Sequence, residues 1–175
     1  MNNVEDTLKG KIRDIPDYPK KGILFRDITP LLKDGSSFAL CVDELAKRVS
    51  DIDFDYVVGI EARGFIIGAA LAYKMKKGFI PIRKLGKLPY RRISKEYALE
   101  YGTATIEMHH DALAGGQEAL LVDDLLATGG TAKAAAELVE SVGGKVAGFA
   151  FVIELAGLNG RSMLGKSRID TLMKY

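Results

Sequence analysis

The chain has 175 residues, 47% of them apolar and 27% charged, which is about one domain's worth of an ordinary soluble composition and enough to bury a core. Its 25 Lys and Arg against 23 Asp and Glu leave a net charge of +2, so no general basic field favours nucleic acid or an anionic membrane. A single cysteine excludes an internal disulfide, no Cys/His spacing suits zinc, and no window approaches the ~20 apolar residues of a membrane span.

The N-terminus, MNNVEDTLKG, carries early acids and no hydrophobic run. It does not read as a signal peptide, and a reducing, cytoplasmic setting is the default. Residues 4–14 read as a short amphipathic helix. The stretch IPDYPKKGILFRDITPLL holds Pro16, Pro19, Gly22 and Pro30 and reads as irregular chain with apolar residues embedded in it. FALCVDELAKRV, 38–49, has helical periodicity, with Cys41 as a small buried residue. YVVGI, 56–60, reads as a buried strand; GFIIGAALAYKM, 64–75, as a helix packed close to a sheet; FIPI, 79–82, as another strand.

RKLGKLPYRRISKEYALEYG, 83–102, is long and basic, with Arg83, Lys84, Lys87, Arg91, Arg92 and Lys95 among its residues. A loop of that size inside a domain is usually functional or disordered. Strands follow at 103–108 and 118–124. His109 and His110, adjacent in a strand, point to opposite faces and read as surface residues, not a metal pair. Ala132, Ala135, Ala136, Val139 and Val142 share one helical face, which Gly143 and Gly144 end before a buried strand at 146–153. Short apolar strands alternating with helices predict an α/β domain with a mainly parallel sheet flanked by helices. Residues 1–35 and the C-terminal tail are less regular and read as a small subdomain over one sheet edge.

The most informative stretch is LLVDDLLATGGT, 120–131. An apolar strand ends at paired acids, Asp123 and Asp124, and a small turn then opens a helix. Ligands of open parallel sheets bind beyond the carboxyl ends of the strands, and a helix N-terminus offers free N–H groups to an anion. Gly129 and Gly130 let the backbone approach closely, and Thr128 and Thr131 add hydroxyls. The spacing matches neither a Walker loop nor Gly-x-Gly-x-x-Gly. A ribose 5-phosphate would use both halves, its hydroxyls on the acids and its phosphate on the turn. The alternative is a strand–turn–helix with a threonine cap and two solvated acids.

VDDLLATGGT resembles the phosphoribosyl pyrophosphate motif of the type I phosphoribosyltransferases. PDYPKKGILFRDITPLL, GIEARGFIIG, IRKLGKLP and EYALEYG resemble the adenine-accepting members of that family, in the family's order, from about residue 10 to about residue 157. The resemblance implies the type I phosphoribosyltransferase fold, in one domain over 1–175 with a hood over the base site from about 1–35. It implies transfer of the 5-phosphoribosyl group from phosphoribosyl pyrophosphate to adenine, giving AMP and pyrophosphate. By the same resemblance Ala127, Thr128, Gly129, Gly130 and Thr131 hold the 5-phosphate, and Asp123 and Asp124 face the ribose hydroxyls. Glu61, Ala62 and Arg63 form the pyrophosphate turn, with a cis peptide between Glu61 and Ala62.

The basic loop 84–96 corresponds to a mobile lid, with Lys84 and Lys87 meeting the pyrophosphate. Glu100 lies near the reacting centre, either stabilising positive charge on the sugar or assisting proton transfer. Leu24, Phe25 and Arg26 form the adenine site, Phe25 by stacking and the other two through backbone groups. The family implies Mg²⁺ carried mainly by the substrate, with no dedicated metal ligands, and a homodimer. Leu85 stands where the family commonly has proline, and the tail GRSMLGKSRIDTLMKY matches loosely. A ligand sensor without catalysis, or an enzyme for another nucleobase, shares much of this pattern; a Mg²⁺-dependent phosphatase built on the acid pair is more distant.

Overall fold

A computed structural model describes residues 3–98 and 102–175. In chain order the elements are α1 (Val4–Lys9), β1 (Arg13–Pro16), β2 (Leu24–Asp27), α2 (Thr29–Lys33), α3 (Gly35–Arg48), β3 (Tyr56–Ile60), α4 (Arg63–Met75) and β4 (Gly78–Lys84). There follow β5 (Arg92–Ala98), β6 (Thr103–His109), β7 (Glu118–Leu126), α5 (Gly130–Ser141), β8 (Lys145–Glu154) and β9 (Ile169–Lys174), with 3-10 turns at Ala156–Leu158 and Gly160–Leu164. The main sheet runs β5-β6-β4-β3-β7-β8-β9. Strands β4, β3, β7, β8 and β9 are parallel, while β6 joins β4 antiparallel and β5 folds back on β6 as a hairpin.

The core lies on both faces of this sheet, and the strands sort their side chains by alternation. Val57 of β3 and Leu120 and Val122 of β7 face a cluster with Leu45 of α3 and Ile67 and Leu71 of α4. Val58, Ala119 and Leu121, one position along, face a second cluster with Ala135, Leu138 and Val139 of α5. Continuous apolar strands are what a sheet covered on both faces requires. Cys41 belongs to the first cluster, fully buried, and its thiol is pushed up to about 12 by burial.

Four expectations need correction. The first helix stops at Lys9, where Gly10 caps it, and residues 13–16 form β1 instead. The "irregular" stretch after it contains β2, which pairs antiparallel with β1 from Arg13↔Asp27 to Pro16↔Leu24. Half of the basic loop is strand: β5 pairs with β6 from Arg92↔His109 to Ala98↔Thr103. Its charges are used structurally, Arg92 Nε on the buried Glu107 at 2.7 Å and Lys95 Nζ on Glu137 of α5 at 2.7 Å. The C-terminal tail adds β9 to the main sheet beside β8.

Helix α4 sits unusually close to β7. A Cβ at Gly64 would lie 2.8 Å from the Val122 carbonyl oxygen and 2.8 Å from Asp123 Oδ1. Neither the strand backbone nor the helix can yield cheaply there. Gly64→Val is therefore expected to cost roughly 1–3 kcal/mol of overpacking, read as a lower midpoint in denaturant titration; an unchanged midpoint would contradict the close packing.

Candidate active site

Strand β3 ends at Ile60 and β7, its parallel neighbour, at Leu126, so the turns leaving both strands open on the same side of the sheet. Between them lies a cavity of about 490 Å³ lined by Glu61, Ala62, Arg63, Lys84, Asp123, Asp124 and Ala127 to Thr131, with Tyr97, Ala104 and Phe151 among its other walls.

The turn after β7 is built for close approach. Gly129, the N-cap of α5, has φ +86°, and no side chain caps the helix. The first-turn amides of α5 are thus left for an anion, with the positive end of the helix behind them. Gly130 faces the β5–β6 hairpin: a Cβ there would stand 3.3 Å from the Ala98 carbonyl oxygen and 3.7 Å from the Tyr97 ring.

The acids differ from one another. Asp124 is buried and accepts from Arg63 Nε at 2.5 Å. Asp123 accepts the Asp124 amide at 2.8 Å and has its carboxyl raised well above the usual range, by burial first and by the Asp124 charge next. In the turn after β3, the Glu61–Ala62 peptide is cis. The Glu61 side chain accepts from the Lys84 amide at 2.9 Å and from Arg83 Nε at 3.3 Å. Burial pushes its carboxyl up, but those two bonds together with the Arg83 and Lys84 charges outweigh it, and the net shift is downward. Glu61 therefore ties the turn to the end of β4, and its backbone, not its carboxylate, is the part that suits an anion.

Several anticipated residues stand off this cavity. Lys87 is exposed, with its amide on the Lys84 carbonyl at 3.1 Å and its own carbonyl accepting from Arg83 Nη1 at 2.8 Å. Phe25 adjoins the site through Arg63, whose guanidinium carbon lies 5.2 Å from the ring centre. The Arg26 side chain is engaged elsewhere, bonded to Asp14 and stacked 4.0 Å over the Tyr175 ring. Glu100 lies outside the described residues. His109 meets the Pro89 carbonyl oxygen through Nε2 at 2.8 Å, which helps hold the loop after β4, and His110 lies 3.8 Å from Asp111.

Tyr97 and Phe151 were not anticipated. For Tyr97 the signal was present: Ile93, Lys95 and Tyr97 alternate through RISKEYA, the pattern of a strand that shows one face to α5. Phe151 sits mid-strand in β8, and nothing local separates it from an ordinary core aromatic. Among the described residues no group of three or more His, Cys, Asp or Glu side chains is placed to hold a metal ion. With Asp124 already on Arg63, the acid pair alone makes no metal site, and a magnesium ion there would need further oxygens from a bound phosphosugar.

A cavity at the carboxyl ends of parallel strands, with paired acids and an uncapped helix N-terminus, defines an α/β protein that binds a phosphorylated sugar. The phosphoribosyl transferase domain model matches residues 31–170. An adenine phosphoribosyltransferase of Thermotoga neapolitana is 58% identical over 168 residues, 96% of this chain and 99% of the relative. The crystal structure of the adenine phosphoribosyltransferase of Thermoanaerobacter pseudethanolicus superposes with a TM-score of 0.96 at 50% identity, covering 99% of this chain and 100% of the other. That of the Saccharomyces cerevisiae enzyme, complexed with an iminoaltritol bisphosphate and adenine, superposes with a TM-score of 0.90 at 38% identity over 97% and 98% of the two chains. The chain belongs to the phosphoribosyltransferase family, among its adenine phosphoribosyltransferases.

The state of Asp123 has a consequence for binding. A sugar hydroxyl donating to this pair favours the ionised carboxylate. Binding of ribose 5-phosphate is therefore expected to release a proton, and affinity to rise as pH climbs through the raised pKa of Asp123. Calorimetry in two buffers of different ionisation enthalpy reads the proton, with Asp123→Asn subtracting the phosphate's own titration. Equal proton release by both proteins would refute the assignment.

Proposed function

We propose that this chain transfers the 5-phosphoribosyl group from phosphoribosyl pyrophosphate to adenine, giving AMP and pyrophosphate in a purine salvage step. The observation that carries the reading is the single cavity around Asp123, Asp124, the uncapped N-terminus of α5 and the cationic turn at Arg63. The backbone of Ala127 to Thr131, with the hydroxyls of Thr128 and Thr131, takes the 5-phosphate. Asp123 and Asp124 accept from the ribose hydroxyls. Arg63, Lys84 and Lys87 grip the pyrophosphate, with the backbone of Glu61 and Ala62. Phe25 stacks on adenine, while backbone groups of Leu24 and Arg26 read its edge.

In the reaction N9 of adenine forms a bond to C1 of the ribose as the bond from C1 to pyrophosphate breaks, and N9 gives up its proton. Three demands follow: a departing polyanion to neutralise, a cationic sugar to stabilise, and water to exclude. Arg63, Lys84 and Lys87 serve the first. A Mg²⁺ ion carried in by the phosphosugar beside Asp123 and Asp124 would supply further positive charge against the polyanion. Asp123 and Asp124 serve the second, joined by Glu100, which either shields the charge or takes the N9 proton. The segment 84–96 serves the third by closing as a lid.

Arg63 begins this sequence paired with Asp124, so ligand binding exchanges partners. The guanidinium turns to pyrophosphate and the freed carboxylate to ribose. We further assign residues 1–35 to a hood over the base within one domain spanning 1–175, a cytoplasmic setting and a homodimer. The hood reading is supported by Phe25 lying against Arg63. Among the described residues no helix is long and apolar enough to cross a membrane. Ile66 and Tyr73 on α4, exposed at 46% and 89%, supply apolar surface suited to a second copy.

The test is nucleotide formation from phosphoribosyl pyrophosphate and Mg²⁺ with adenine, hypoxanthine, guanine, uracil and orotate in parallel. AMP alone is expected. A different nucleotide would discard the base assignment, and no product from any base would leave a ligand sensor. In the same assay Asp124→Asn is expected to lose more than ~10²-fold in turnover with the fold intact; near-normal turnover would remove Asp124 from the ribose role.

A further inference from the structure

The turn that receives the phosphate in this reading leans on a segment to which no role has been given. A Cβ on Gly160 would stand 2.2 Å from the Ala127 carbonyl oxygen and 3.1 Å from the Gly129 nitrogen. A Cβ on Gly129 would stand 2.4 Å from the Gly160 carbonyl oxygen and 3.0 Å from Met163 Cβ. Two backbones thus touch with no side chain between them, at the residues that carry the chain from β7 into α5. Gly129 holds φ +86° there, and Asn159, just before Gly160, holds φ +52°. The direction of the α5 amides depends on where this contact settles.

The Gly160 turn is itself anchored. Arg161 lays its guanidinium on Glu154 through two bonds, Nε to Oε1 at 2.7 Å and Nη2 to Oε2 at 2.7 Å, and Nη1 donates to the Ile169 carbonyl at 3.1 Å. Glu154 is the last residue of β8, 5% exposed, and also accepts from Thr171 Oγ1 of β9 at 3.0 Å. The Leu155 amide donates to Leu126 at the end of β7 at 2.9 Å, and the Ala156 amide to the Tyr175 carbonyl at 2.9 Å. Leu164, at the far end of the turn, is buried in the cluster that includes Leu126 and Ala132. A planar fork on a carboxylate fixes orientation as well as distance, so the turn has little freedom to slide.

We propose that Gly160 and Arg161 are positioning residues for the sugar phosphate. Arg161, anchored on Glu154, seats the Gly160 turn against Ala127 and Gly129 and so sets the aim of the α5 amides. The inference rests on the reading of that turn as the phosphate site. It assigns a purpose to the C-terminal tail, which resembles the family only loosely in sequence yet supplies the wall behind the cradle.

The experiment is steady-state kinetics of Gly160→Ala with each substrate varied in turn, beside a melting curve. The added methyl cannot coexist with the Ala127 carbonyl, and misplacement of a binding group by about an ångström is costly. KM for phosphoribosyl pyrophosphate is expected to rise by at least ~10-fold, within the ~10²-fold that an ångström's misplacement can cost, while KM for adenine and kcat at saturation change far less. Arg161→Ala is expected to move the same constant in the same direction, and Arg161→Lys, which keeps the charge and loses the fork, to recover part of it. An unchanged KM for phosphoribosyl pyrophosphate, or a loss confined to kcat that follows the melting temperature, overturns the proposal. Should Gly160→Ala fail to fold, Arg161→Lys carries the same test with the same two outcomes. Wild-type protein that fails to bind phosphoribosyl pyrophosphate in calorimetry would instead remove the phosphate site itself, and the proposal with it.

Discussion

Strands β3 and β7 are parallel neighbours, and the chain leaves them in opposite directions. From β3 it passes through α4 to β4 on one side; from β7 it passes through α5 to β8 on the other. The two helices pack on opposite faces of the sheet, α4 in one apolar cluster and α5 in the other. Their N-termini nevertheless meet over the same pair of strand ends, because both connections begin there. A crevice opens at such a switch point by topology alone. Everything functional in this molecule follows from filling it with the right turns.

The two turns are fitted to the crevice by absence of side chains as much as by their presence. Gly64 lets α4 close onto β7, so that Arg63 reaches Asp124. Gly129 and Gly160 let the cradle rest on the C-terminal turn. In the free protein the charged groups already have partners: Arg63 holds Asp124, Asp123, its carboxyl raised by burial first and by the Asp124 charge next, accepts the Asp124 amide, and Glu61 is taken up by Arg83 and the Lys84 amide. A ligand that brings its own anions and hydroxyls can replace these contacts one for one, so little charge is left buried without a partner.

Much of this was legible in the sequence, for physical reasons that differ by element. Buried strands such as YVVGI and LLVDD announce themselves because both faces must be apolar, and the helix after ATGGT because its alanines recur with helical period. The paired acids and the Gly-Gly turn were legible because chemistry, not packing, dictates them. The hairpin β1–β2 was hidden by its prolines and glycine, and β5 by its charges. Arg92 and Lys95 looked solvated, yet their partners Glu107 and Glu137 lie 15 and 42 residues further on, beyond the reach of any local pattern. Arg161 was obscure although its partner Glu154 stands only seven residues earlier, because the end of β8 and a 3-10 turn lie between them. An arginine in a loose tail carries no mark of the buried carboxylate at the end of β8 that holds it. Leu24, Phe25 and Arg26 were singled out by resemblance, and only Phe25 has a contact into the site, through Arg63.

The central claim is that one crevice holds a ribose 5-phosphate with its phosphate on the N-terminus of α5 and its hydroxyls on the acid pair. A crystal structure with ribose 5-phosphate bound tests it most directly. The account predicts phosphate oxygens within hydrogen-bond distance of the amides between Thr128 and Ala132, sugar hydroxyls on Asp123 and Asp124, and Arg63 released from Asp124. A phosphate seated elsewhere, or bound at the cradle with the Arg63–Asp124 pair intact and the sugar turned away from the acids, would contradict it.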